Sequence, residues 1–138
     1  MKTKGTLILI LSVLALSCSQ KILKLNSIEK RITYPGVVSA SPFIVYEIAF
    51  ESSNEFKIDE VLLNDQTSIA SFSVYSEATR SYLDGSGSLR AGKYTLSFKI
   101  SDLVRIDETD EISLSIVSND NKEEKTAKVV LKDPIRLR

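Results

Sequence analysis

Histidine and tryptophan are both absent from this 138-residue chain, and cysteine occurs once. Without histidine the chain lacks the commonest general acid/base of catalysis and the commonest metal ligand. Without tryptophan it lacks the usual large anchor of a sugar-stacking site. A single cysteine excludes an internal disulfide, even in a compartment that would form one, so stability must come from burial. Excess positive charge is also missing: 18 Lys and Arg face 18 Asp and Glu, which argues against a nucleic-acid partner. What is present, 43% hydrophobic and 26% charged residues, suits one globular domain with one core and not a disordered chain.

The apolar run from Leu7 to Leu16, interrupted by Ser12, is shorter than the roughly 20 residues that a membrane-spanning helix needs. With Lys2 and Lys4 ahead of it, the run reads as a signal peptide over residues 1–17. Its removal takes two lysines and no acid, leaving the mature chain at a net charge of about −2. The run ends in Ala15-Leu16-Ser17-Cys18, which resembles the bacterial lipoprotein box, although Ala15 stands where leucine is usual. The resemblance implies that the Cys18 thiol takes a diacylglyceryl thioether and anchors the protein to the cell envelope, since two acyl chains hold where one is marginal. Ser19 after the cysteine leans toward the outer membrane. Ala15-x-Ser17 also fits ordinary signal-peptidase cleavage, which would leave Cys18 as a free thiol. The chain then divides into a signal at 1–17, a lipidated cysteine and short tether at 18–27, and a domain at 28–138.

Through the mature chain the apolar residues recur with period two, the spacing that sends alternate side chains to one face of a strand. Ile44, Tyr46, Ile48 and Phe50 are one such row, and Tyr94, Leu96, Phe98 and Ile100 another. Ile112, Leu114 and Ile116 form a third, and Ala127, Val129 and Leu131 a fourth. Phe56 and Ile58, then Val61 and Leu63, keep the alternation but change phase at Asp59-Glu60, as a bulge would. Turn chemistry falls at Pro35-Gly36, Ser52-Ser53-Asn54, Asn64-Asp65, Asp84 to Gly87, Ala91-Gly92 and Asn119 to Asn121. The pattern predicts about seven strands, near 22–33, 43–51, 56–63, 68–76, 93–101, 111–118 and 126–132. Short strands at this spacing predict an all-β, two-sheet antiparallel sandwich.

The stretch from Tyr94 to Leu103, Glu108 to Leu114, Val117 to Asp120 and Thr126 to Leu131 resembles strands E, F and G of an immunoglobulin-like domain. Where that family carries an acid, Gly, Tyr and Cys at alternate positions opening strand F, this chain has Glu108, Asp110, Ile112 and Leu114. The tyrosine corner and the core disulfide therefore do not carry over. The resemblance implies a fold and transfers no activity.

Candidate sites are few. Asp107, Glu108, Asp110 and Glu111 offer carboxylate oxygens that could hold calcium, or form a solvated loop. Asp84-Gly85-Ser86-Gly87-Ser88 echoes a calcium loop or phosphate cradle but lacks the terminal Glu and the Lys such sites need, so a flexible connection is expected. Asn119, Asp120, Asn121, Glu123 and Glu124 read as a polar hairpin tip. Tyr34, Tyr75 and Tyr82 could stack on a sugar, or pack at sheet edges. No motif pairs a serine nucleophile with a base, and no cofactor or catalytic residue is assigned.

Strand parity sorts the loops. Each antiparallel reversal returns the chain to the opposite pole, so loops 52–55, 77–92 and 119–124 share the pole of the N-terminus. Loops 34–42, 64–67 and 102–110 and the tail Arg136-Leu137-Arg138 share the far pole. A protein partner is expected to meet loops 34–42 and 102–110, an expectation that one extra strand near Tyr82 or Leu89 would reverse. The functional expectation is a lipid-anchored, non-enzymatic interaction or accessory module. A carbohydrate or small-ligand binder would instead show an exposed aromatic row, and a carboxylate hydrolase two facing acids with one desolvated.

Overall fold

The computed structural model describes residues 21–138, so the signal at 1–17 and Cys18 lie outside the described residues. Eleven strands form: β1 (Leu23–Tyr34), β2 (Phe43–Ser52), β3 (Lys57–Leu63), β4 (Thr67–Ser68), β5 (Ser73–Ser76), β6 (Ser81–Leu83), β7 (Gly92–Ile100), β8 (Glu111–Ser118), β9 (Asn121–Lys128), β10 (Val130–Leu131) and β11 (Ile135–Arg136). One 3-10 helix, Leu103–Asp107, interrupts them. Two sheets result, neither closed into a barrel. One runs β10-β1-β2-β7-β5-β6, with β11 also on β1, and the other runs β4-β3-β8-β9.

Three of the four alternating rows are buried as their period requires. In the fourth, Ala127 and Val129 are only partly buried and Leu131 is exposed, because the chain there leaves one sheet for the edge of the other. Ile44, Tyr46, Ile48 and Phe50 of β2 and Tyr94, Leu96 and Phe98 of β7 meet Val61 and Leu63 of β3 and Ile112, Leu114 and Ile116 of β8. Phe50, Phe56 and Tyr94 form an aromatic group near one end, with ring centroids 5.4–5.9 Å apart. The β3 phase change is a bulge between Ile58 and Glu60. β1 contains a second shift, between Leu25 and Ser27, that the sequence pattern did not announce. Asn64-Asp65 and Asn119-Asp120 lie at positive φ, the primed-turn conformation whose twist matches adjoining antiparallel strands.

The expected count of seven strands needs correction, for a reason that recurs on both sides of the molecule. The segment at 68–76 is not one strand: β4 pairs with β3 in one sheet, and β5 then pairs with β7 in the other. The last segment does the same. β9 pairs with β8, and β10 and β11 cross to lie parallel to β1, so the sandwich is not wholly antiparallel. β9 also starts at Asn121, earlier than 126, because an exposed edge strand needs no apolar alternation. β6 was unforeseen. At the other end, β1 begins at Leu23, so residues 23–27 belong to the sheet and not to a tether.

β6 is an extra reversal near Tyr82, antiparallel to β5, of the kind that would reverse the parity. The poles keep their loops because the chain after β6 runs back to bridge Phe56 at Leu89 before β7 begins, and because each switching segment keeps its direction while changing sheet. Ile22 accepts a hydrogen bond from the Ser53 amide at 3.1 Å, Phe56 and Leu89 exchange two backbone bonds, and Ser118 Oγ donates to the Glu55 carbonyl. These contacts define the near pole. At the far pole the Leu137 amide donates to the Tyr34 carbonyl at 2.9 Å, and the 3-10 helix is tied to β1.

Thr33 of β1 is buried with its Oγ1 unpaired. A buried hydroxyl without a partner has given up its water hydrogen bonds for nothing. Thr33→Val keeps the β-branched shape, and we expect it to raise unfolding stability by up to about 1 kcal/mol, measured by urea denaturation followed by far-ultraviolet circular dichroism. A destabilised variant would show that the hydroxyl has a partner in solution.

Candidate functional site

The strongest concentration of polar chemistry in the described residues is centred on Asp110, one residue ahead of β8. Its side chain is fully buried. Lys30, from an inward position of β1 and also buried, donates to Asp110 Oδ2 at 2.8 Å. Tyr46 from β2 donates its hydroxyl to the same oxygen at 2.6 Å, and Asn64 from the β3–β4 turn donates Nδ2 to Oδ1 at 2.9 Å.

Every group in this cluster is satisfied. The other two ammonium protons of Lys30 go to the carbonyls of Arg105 and Glu108, at 2.9 and 2.6 Å, completing its three donors. Asn64 Oδ1 accepts from the Glu111 amide at 2.8 Å, and the Asn64 amide donates to the Glu111 carbonyl. The Tyr46 ring stacks on Phe98 with centroids 4.8 Å apart. Burial alone would push the Asp110 carboxyl up. The hydrogen bonds from Lys30, Tyr46 and Asn64 and the charge of Lys30 more than reverse this and hold it below the usual carboxylate range. Burial, and then the bond to Asp110, push the Tyr46 phenol well above its ordinary value. The arrangement keeps Asp110 ionised and both oxygens occupied, which suits a structural clamp between two sheets.

The four acids at 107–111 therefore do not act together. Asp110 turns inward to Lys30, whose ammonium sits where a bound cation would have to sit, and Glu108 contributes a carbonyl rather than its carboxylate. Among the described residues no three acidic or other metal-binding side chains converge. The 84–88 stretch is a turn closed by Asp84 Oδ1, which accepts from the Ser86 amide and hydroxyl. A Cβ on Gly85 would lie 2.8 Å from the Phe72 ring, so that residue must be small to let the turn pack. Glu123, assigned to a polar tip, lies in β9 and accepts from the amides of Ile22 and Leu23 at 2.8 Å each. The chain entering β1 is thus bound to the hairpin of β8 and β9. Burial would raise the Glu123 carboxyl, but those amides, with Lys125 and Lys21 nearby, bring it below its ordinary value.

The tyrosines build no platform. Tyr34 lies under Arg136, 5.0 Å from its guanidinium, and Tyr75 packs edge-on against Tyr82 at 5.3 Å. Lys30 and Tyr46 were not foreseen as polar partners. The one signal was a lysine at an inward position of a strand, which demands a buried acid.

Asp110→Asn leaves the Lys30 ammonium buried without its counter-charge, and should cost about 3–5 kcal/mol of stability. Lys30→Met combined with Asp110→Asn should recover much of this, and urea titration at neutral pH measures both. The pH dependence follows from the depressed carboxyl. The stability it contributes is complete above the ordinary aspartate range of about 3.9 and is lost as pH falls through the lower folded value. The wild type should therefore weaken more steeply below about pH 4 than the double variant, as thermal melts across pH 2–6 would record. Compared with family models, with curated proteins and with solved structures, this chain finds no match.

Proposed function

We propose that this chain is a lipid-anchored envelope protein, most readily of the outer membrane, whose single immunoglobulin-like sandwich serves as a non-catalytic module that docks a protein partner at its far pole. The strand order supports the immunoglobulin-like reading. β1-β2-β7-β5 against β3-β8-β9 matches the two-sheet order of constant-type domains. Tyr46 on Asp110 also joins the loop before β8 to the opposite sheet.

One observation carries the docking reading. Of the eight exposed large apolar residues among those described, Val37, Val38, Val104 and Leu137 lie at the far pole, and Val130, Leu131 and Ile135 lie on the strands leading to it. Only Tyr82 is elsewhere. Scattered exposed apolar residues need no explanation, but a one-sided concentration marks an interaction surface. Val38 projects entirely into solvent from a loop, 35–42, that bears no charge. The buried acid that a hydrolase would need desolvated is engaged by Lys30, Tyr46 and Asn64, and the aromatic row of a sugar binder is not formed by the described tyrosines.

A photo-crosslinking residue placed in intact cells at Val38, Val104 or, as a control, Glu124 of β9 tests this. We expect Val38 and Val104 to give one adduct of the same mass and Glu124 to give none, with the yield falling when Cys18→Ser removes the anchor. Equal yields at all three positions would overturn the docking reading.

A further inference from the structure

We infer that the near pole carries a collar of lysines, Lys21, Lys24, Lys93 and Lys125, that rests on the anionic headgroups of the bilayer in which the chain is anchored. The inference rests on lipidation of Cys18 and adds a second contact with the membrane, made by the folded body itself.

The argument begins with chain length. Ile22 is fixed to the domain: its amide and that of Leu23 are held by Glu123, and its carbonyl accepts from Ser53. Cys18 stands four residues earlier, and four residues of fully extended chain span at most about 14 Å. An acylated Cys18 therefore holds the near pole close to the headgroup layer, within about one or two Debye lengths at physiological salt.

The second observation is what surrounds that point of emergence. Two shallow hollows flank the start of β1. Lys21, Lys24 and Lys125 line one of them, over Leu23, Leu25 and Ala127. Lys21, Lys24 and Lys93 line the other, over Ser52, Ser53 and Gly92. The only acid lining either hollow is Glu51, 3.5 Å from Lys24 and on the surface. Glu123 nearby is engaged by two backbone amides. Four cations with one acid in their midst thus ring the site where the chain leaves for the membrane. The mature chain as a whole is slightly acidic, so the collar is a local concentration of positive charge. Each lysine near an anionic surface strengthens the contact about fivefold. Lysines on the open rims of two shallow hollows suit an extended anionic surface better than a pocketed ligand.

The full-length protein, purified from membranes and reconstituted into vesicles, allows the test. Vesicles of phosphatidylcholine alone are compared with vesicles containing a third of phosphatidylglycerol, and the acylation rate of each lysine by a water-soluble ester is read by peptide mass spectrometry. In anionic vesicles Lys21, Lys24, Lys93 and Lys125 should react at least fivefold more slowly than in neutral ones. Lys99 and Lys132 should be unchanged, and high salt should abolish the protection. Protein that floats with both vesicles while the four lysines react equally in each overturns the collar and leaves the anchor standing. Protein that floats with neither overturns the anchor and the collar together. Protection seen in native envelopes but not in anionic vesicles assigns the collar to a protein contact and overturns the inference.

Discussion

A carboxylate with no exposed surface holds the far end of this molecule together. Asp110 draws on Lys30 from β1, Tyr46 from β2 and Asn64 from the turn after β3, so both sheets converge on two oxygen atoms. Hydrogen bonds depend on direction as well as distance, and a strand that slipped by one residue would present the wrong face. The cluster therefore penalises other registers more sharply than an apolar core of the same volume. The gain lies in specificity more than in raw stability, because desolvating the charges offsets much of their attraction.

The near end is built differently. Phe50, Phe56 and Tyr94 fill it with edge-to-face and stacked rings, an arrangement that tolerates small shifts in geometry. Its polar connections are peripheral: Glu123 on the amides of Ile22 and Leu23, Ser118 on Glu55, Ser88 on Glu55. The bond from Glu123 matters beyond its strength. It occupies the unpaired edge where β1 begins, and so fixes the point from which the chain runs toward Cys18.

Between the poles, each lateral side of the sandwich is closed by a segment that starts in one sheet and finishes in the other. β4 and β5 do this on one side, and β9 with β10 and β11 on the other. The device shortens the exposed edges that would otherwise recruit foreign strands. It also leads the C-terminal strands to the far pole, where Val37, Val38, Val104 and Leu137 are exposed. Under the proposed function, the apolar end meets a partner while the lysine-ringed end meets lipid.

The alternation of Ile44 to Phe50, Tyr94 to Ile100 and Ile112 to Ile116 determined the central strands, because a half-buried strand must repeat every second residue. The turns at Asn64-Asp65 and Asn119-Asp120 and the bulge after Ile58 were equally legible, since each follows from local backbone chemistry. Parity of the seven main strands matches the poles at which the loops lie, but only because the extra reversal at β6 is undone before β7. Three things were decided by tertiary structure. The period of an extended segment says nothing about which sheet it joins, so the divided courses of 67–76 and 121–136 were hidden. The solvated edges β6 and β9 carry no apolar signal. And the acidic loop at 107–111 reads alike whether its carboxylates face water, calcium or a lysine: only the approach of β1, some eighty positions earlier in the chain, turns Asp110 inward.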